Sequence, residues 1–120
     1  MQLSIAKDDG QSVQIAVTGR VTQSDFGPIH EPLAQLLGPN AYARKIRLDL
    51  SDTNYLDSSG VGWLLTCHKN FQTSGGKLLL HSVPPMVDQV LRLLQLHHLL
   101  TIKTDRAAAL AAVSAMKGKA

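Results

Sequence analysis

The sequence predicts an α/β fold built on a mainly parallel five-stranded sheet, with one antiparallel edge strand and about four helices. Two patterns and the length lead to this prediction. Short apolar runs with strand-like alternation recur along the chain. After an opening pair of strands, each run precedes a stretch with apolar residues at helical spacing, which is the order of parallel strands joined by crossovers. The length of 120 residues fits a single domain, 1–120, in which residues 116–120 are expected to fray.

The fold is expected to open with a hairpin. Residues 2–7 alternate apolar and polar side chains, Gly10 marks a turn, and the alternation resumes at Val13, Ile15 and Val17. Two adjacent strands joined by so short a turn run antiparallel.

The first helix is predicted within residues 26–37, where apolar residues recur at helical spacing. Pro28 and Pro32 interrupt this pattern, and proline fits only the first turn of a regular helix. The helix is therefore expected to start at Ile29 or later, or to be kinked at Pro32.

The third strand is predicted at residues 46–50, with a short loop at 51–56 before a long helix. One broad apolar face of that helix is expected to pack on the sheet. Cys67 on this face is expected to be buried and structural, and His68 to be partly buried and satisfied. Trp63 is placed at the exposed edge of the face and is a candidate for contact with a partner. The residues of the face are Gly60, Val61, Leu64, Leu65, Cys67, His68 and Phe71.

The remaining elements repeat the alternation of strand and helix. Residues 77–81 form a strand, a helix follows Pro84 and Pro85, and residues 99–104 form another strand. Asp105 is expected to cap a last helix. The small residues of that helix are expected to lie against a neighbour: Ala107, Leu110, Ala111, Val113 and Ala115.

The stretch 57–62, Asp-Ser-Ser-Gly-Val-Gly, lies at the predicted corner between the third strand and the long helix. Asp57 or Ser58 is able to cap the helix through a side-chain oxygen. Ser59 has a second interpretation, because an added phosphate at this position would meet the free N–H groups and positive dipole of a helix start. The corner is thus a helix cap, a phosphorylation switch, or both.

Composition narrows the functional classes. The net charge is +3, and the 12 basic residues are scattered, so no stripe follows a nucleic-acid backbone. No segment has the pattern of a signal peptide or the length of apolar chain that spans a membrane. We therefore expect a cytoplasmic protein that neither binds nucleic acid nor inserts into a membrane.

Signs of catalysis are weak. The sequence has no Gly-rich phosphate loop and no metal-spaced cluster of His or Cys. The adjacent His97 and His98 are interpreted as a solvated helix end, and Ser59 does not lie in a Gly-x-Ser-x-Gly elbow. No catalytic residue, cofactor or metal is expected.

The order of elements, together with the Asp-Ser-Ser-Gly corner after an apolar strand, resembles the STAS domain family, in particular the bacterial anti-sigma factor antagonists. The resemblance extends over nearly the whole chain. The segments 19–22 (Gly-Arg-Val-Thr), 75–77 (Gly-Gly-Lys) and 85–87 (Pro-Met-Val) stand where that family turns after its second strand, enters its fourth strand and begins its third helix.

The resemblance implies a STAS-like fold and partner switching. In that family the serine before the glycine is phosphorylated by a kinase that is also the anti-sigma factor, and the matching residue is Ser59. The unphosphorylated form binds the kinase, phosphorylation ends the binding, and a cognate phosphatase restores it. Together with Trp63, the residues expected to take part in partner binding are Thr22, Asp57, Ser58, Ser59 and Gly60, although at Thr22 the family often has an acidic residue.

Two alternatives stay open. STAS domains also serve as constitutive interaction modules of transporters or signalling scaffolds, in which the corner shapes a docking surface without phosphorylation. A small hydrolase or nucleotide-binding protein that uses Ser59 as nucleophile or ligand is the remaining possibility.

Overall fold

The computed structural model describes residues 1–22 and 32–116. Five strands form one sheet in the order in which they occur along the chain. The first two pair antiparallel, and the later neighbours pair parallel, which confirms the predicted sheet. The strands are β1 Gln2–Asp8, β2 Val13–Val21, β3 Lys45–Leu56, β4 Lys77–His81 and β5 Thr101–Lys103.

In residues 1–22 and 32–116, four helices alternate with the later strands in the predicted order. They are α1 Pro32–Leu37, α2 Ser58–Ser74, α3 Pro85–Leu93 and α4 Arg106–Ala115, with short 3-10 turns at Ala41–Ala43 and Leu96–His98. Much of the predicted first helix lies outside the described residues, and its described part has Pro32 in the first turn, where proline is tolerated. The expected fraying also falls largely on residues outside the description.

The main hydrophobic core lies between the sheet and helices α2 and α3. Alternate residues of the central strands, such as Ile15, Ile46 and Leu80, are fully buried there. The helices supply side chains such as Leu64 and Leu91, and burial of each large aliphatic side chain contributes about 1.5–3 kcal/mol. This face of the sheet fixes where α2 begins.

Helix α4 packs on the opposite face of the sheet. Lys45 Nζ donates to the carbonyl oxygen of Met116 at 2.6 Å, and Arg106 lies 3.6 Å from Asp49, so both ends of the helix are tied to β3. The predicted packing face of α4 is largely wrong. Of the five predicted residues only Val113 is buried, and Ala107, Leu110, Ala111 and Ala115 are exposed; Ala109, which was not predicted, is also buried.

Strand β3 is longer than predicted. The loop expected at residues 51–56 is instead the second half of this 12-residue strand. It pairs with β2 from Thr18 to Val21, and the register shifts once just before Thr18 and once between Gly19 and Arg20. The sequence did not predict this half of the strand for two reasons. Most of its residues are polar, and its alternation of apolar and polar residues is broken where the register shifts.

The segment between α3 and β5 also differs from the prediction. The strand expected at 99–104 contains only Thr101–Lys103, because residues 96–98 form a 3-10 turn immediately before it. His98 is exposed, as expected, but His97 is half-buried.

None of the helices within residues 1–22 and 32–116 combines the length and the apolar character that crossing a membrane requires.

Candidate functional site

The site is built where β2 and β3 end side by side. Val21 and Leu56 are paired in the parallel register, and the N–H of Asp57 donates to the carbonyl oxygen of Val21 at 3.2 Å. Thr22 and Asp57 therefore leave the sheet at the same edge, the carboxyl edge, where open α/β sheets present their binding residues.

Asp57 is the N-cap of α2, which decides between the two cap candidates. Its backbone is extended, and its Oδ1 accepts a hydrogen bond from the N–H of Gly60 at 3.0 Å. Its carbonyl oxygen accepts from the N–H of Val61 at 3.0 Å, which starts the helical ladder. The N–H groups of Ser58 and Ser59 have no intrahelical acceptor by the geometry of a helix start.

Gly60 is required by close packing. A Cβ built on it would overlap the Cδ1 of Leu56 and would lie 3.0 Å from both the Cγ1 and the carbonyl oxygen of Val21. The first turn of α2 thus rests directly on the ends of β2 and β3. This contact holds the corner at a fixed distance from the sheet.

The two serines differ in exposure. Ser58, the first residue of the helix, is exposed, and Ser59, the second, is half-buried. Both hydroxyls are carried at the positive end of a 17-residue helix. A phosphate on either would be stabilised within the monomer by this dipole and by the first N–H groups.

Trp63 does not lie at an exposed edge. Its side chain is 7% exposed and belongs to the main core, so the expected position is wrong. It lies one turn after Ser59 on α2, and a broader buried stripe than the predicted one includes it. In this conformation the indole supports the helix instead of presenting a contact surface.

Arg20 places a positive charge beside the corner, and the sequence did not predict this charge there. The guanidinium of Arg20 lies 4.1 Å from the centre of the Tyr55 ring, a cation–π contact between the residues just before Val21 and Leu56. Both side chains are exposed. The pairing of β2 with the second half of β3 brings Arg20 and Tyr55 together. The contact could not be predicted because this half of β3 was predicted to be a loop.

The structure thus brings most of the predicted site residues to one corner of the sheet, and it buries the tryptophan. The residues at the corner are Thr22, Asp57, Ser58, Ser59 and Gly60. In the described part of the chain, His, Cys, Asp and Glu side chains form no group of three or more that could hold a metal ion.

Comparison with known families identifies the chain. A sequence model described as "Mlab, STAS domain" matches residues 5–101, which is more than half of the chain. The protein belongs to the STAS domain family.

Solved structures share the fold. A proposed anti-sigma factor antagonist of Thermotoga maritima has a TM-score of 0.79 at 22% identity, over 94% of this chain and 93% of the other. The Bacillus cell fate determinant SpoIIAA in its phosphorylated form has a TM-score of 0.61 at 17% identity, over 92% and 99%. The murine anion transporter Slc26a9 has a TM-score of 0.74 at 12% identity, over 92% of this chain and 19% of the transporter. At these identities the likeness establishes the fold alone.

Proposed function

We propose that this protein is an anti-sigma factor antagonist-like regulator, which binds a serine-kinase-type anti-sigma factor in the cytoplasm and is switched by phosphorylation of Ser59. It acts by binding and has no catalytic activity of its own. The observation that carries the proposal is the geometry of the corner, where Ser59 is the second residue of a capped helix at the carboxyl edge of the sheet.

The separation of roles at the corner supports the proposal. Asp57 holds the helix start, and Gly60 packs against Val21 and Leu56. Neither task needs a serine hydroxyl. Ser59 is therefore available for modification without loss of the cap.

The comparisons support the same function. One structural relative is a proposed anti-sigma factor antagonist, and another, SpoIIAA, is described in a phosphorylated form. The Asp-Ser-Ser-Gly corner of this chain resembles the phosphorylated corner of that group.

Charge explains how one modification could end binding. A phosphoserine carries close to two negative charges at neutral pH. On the free protein the helix start and the solvent stabilise these charges. In an interface they would be desolvated and unpaired, and an uncompensated buried charge costs about 2–5 kcal/mol of binding free energy. The same phosphate is thus tolerated in the monomer and excluded from the complex.

The test uses the whole chain with ATP and each serine-kinase-type anti-sigma factor of the same genome, with the phosphate mapped by mass spectrometry. We expect one kinase to modify Ser59 and Ser59→Ala to remove the modification. Binding of that kinase is expected to weaken by about tenfold or more in Ser59→Asp, a loss of at least about 1.4 kcal/mol.

A matched control comes from the other Asp-capped helix. Ala107 is the second residue of α4, as Ser59 is of α2, and it is exposed. Ala107→Ser places a serine in an equivalent cap and is expected to gain no phosphate, because the partner recognises the surrounding corner. Absence of both modification at Ser59 and binding, with every kinase tried, would refute the proposal.

A second candidate is a constitutive interaction module of a transporter or scaffold. The family description "Mlab, STAS domain" and the likeness to part of an anion transporter favour it. In that case the corner shapes a docking surface, and Ser59 is not phosphorylated. Equal partner affinity of Ser59→Ala and Ser59→Asp would support this candidate over the switch.

A further inference from the structure

A row of buried polar side chains crosses the sheet on the face that α4 covers. Arg47 Nη1 donates to Gln14 Oε1 at 2.8 Å, Gln14 Nε2 lies 2.8 Å from His81 Nε2, and His81 Nδ1 lies 2.8 Å from Ser82 Oγ. The first three residues are at most 2% exposed. This polar row connects β2 and β3 to the end of β4.

Each hydrogen bond of the polar row has its donor on the same side, so the row donates from Arg47 through Gln14 and His81 to Ser82. The guanidinium of Arg47 has only donors, so the amide oxygen of Gln14 must face it and the amide nitrogen must face His81. That nitrogen donates, so Nε2 of His81 accepts and carries no proton. The neutral imidazole therefore has its proton on Nδ1, which donates to Ser82 Oγ.

A second proton on His81 has no acceptor in this arrangement. It would place the N–H of Nε2 against the NH₂ group of Gln14. Rotation of the Gln14 amide would move the conflict to Arg47, where two donors would then face each other. Protonation of His81 therefore breaks at least one buried hydrogen bond, whichever way the amide turns.

The polar row ends at a strained connection. Ser82 has a φ of +57°, in the left-handed region that residues other than glycine rarely adopt. It follows β4 directly, and α3 begins three residues later at Pro85. The bond from His81 to Ser82 thus helps to hold the backbone that leads into α3.

We propose that His81 is a proton-sensitive latch: a charged ring still donates from Nδ1 to Ser82, but its Nε2–H has no acceptor in the polar row, so the ring leaves the row and the connection between β4 and α3 moves with it. This inference does not depend on phosphorylation of Ser59. It assigns a regulatory role to residues at the far side of the sheet from the main core.

Burial, more than any neighbouring charge, determines the sign of the response of His81 to pH. Burial lowers the pKa of His81, the carboxylates of Asp49 on β3 and Asp105 on α4 oppose this, and the guanidinium groups of Arg106 and Arg47 reinforce it. On β5, Lys103 is the partner of His81 in the strand register. The folded protein therefore keeps His81 neutral at a pH where an open form would protonate it. Stability of the latch is full above pH 6.5, the ordinary value for histidine, and declines as the pH falls toward the lowered value.

The test combines NMR titration of His81 with amide hydrogen exchange of the intact chain between pH 7.5 and 5.5. At pH 7.5 the ring nitrogens are expected to show the Nδ1–H tautomer. The N–H of Asp88, which donates to Pro84 at 2.8 Å in the first turn of α3, reports opening of the latch. Its opening equilibrium is expected to rise by up to about tenfold for each pH unit below 6.5. The N–H of Val61, in the first turn of α2, is the matched control and should not follow it.

Gln14→Glu should favour a charged His81 in the polar row, because a carboxylate accepts from both Arg47 and the charged imidazole. We expect this variant to raise the titration midpoint of His81 and to remove the acid-induced opening of α3. His98→Gln, which changes an exposed histidine, should leave both unchanged. The latch is rejected if the wild-type protein has the Nε2–H tautomer at pH 7.5, or if Asp88 and Val61 respond alike to pH. These wild-type measurements test the latch even if Gln14→Glu fails to fold.

Discussion

Two helices of this protein begin in the same way, and only one of them begins at a candidate functional site. Asp57 before α2 and Asp105 before α4 are both extended N-caps. Each accepts from the N–H three residues later, at 3.0 and 2.8 Å, and each carbonyl accepts from the N–H four residues later at 3.0 Å. The cap is therefore ordinary local chemistry and indicates no function by itself.

The difference lies in what surrounds each cap. The strand before α2 has 12 residues and is flanked by β2, so the first turn of the helix presses on two strand ends. The strand before α4 has three residues and lies at the edge of the sheet. At the third helical position the first helix has a buried glycine, Gly60, and the second has a half-buried alanine, Ala108. A pair of serines at a tightly packed corner is what distinguishes the candidate site.

The largest effect is expected from filling the space at Gly60. Gly60→Ala should lower the free energy of unfolding by about 1–3 kcal/mol, because the new methyl group meets Leu56 and the backbone of Val21. Chemical denaturation measures the change. Gly62→Ala is the matched control: nothing lies within 4 Å of its added Cβ, so it should stabilise the helix by about 0.5–1 kcal/mol. Equal effects of the two substitutions would mean that α2 does not rest on the strand ends.

An intermediate effect is expected from removing either cap. The lost cap should cost about 1 kcal/mol in Asp57→Ala and in Asp105→Ala alike, since both substitutions remove a side-chain hydrogen bond to a helix N–H. Thermal unfolding of the two variants compares them directly. A loss at Asp57 several times that at Asp105 would contradict the view that the caps are equivalent, and it would assign Asp57 a larger structural role.

The smallest effect is expected at Ser58. This exposed side chain is the first residue of α2 and does not cap the helix. Ser58→Ala should change the free energy of unfolding by no more than about 0.5 kcal/mol. Peptide mapping should still find phosphate on Ser59 in this variant. Phosphate on Ser58 instead of Ser59 in the wild-type protein would contradict the assignment of Ser59 as the phosphorylated residue.

Much of the fold follows from local pattern. The hairpin, the parallel order of the later strands and the Asp105 cap were all predictable, because alternation and capping depend on residues within a few positions of each other. The second half of β3 was not, because its pairing with β2 stabilises a stretch whose own alternation is broken. Trp63 was misplaced for a related reason, since the width of a buried helix face depends on what packs around it.

The sequence by itself determined the α/β class, the helix start at the Asp-Ser-Ser-Gly corner and the resemblance that selects Ser59. Tertiary structure alone decided that Asp57 is the cap and that Gly60 must be a glycine. It also joined Arg47, Gln14 and His81 into one buried row. The physical reason is that caps and periodicity are local, whereas close packing and buried hydrogen bonds join residues far apart in the chain, on strands whose register the sequence does not specify.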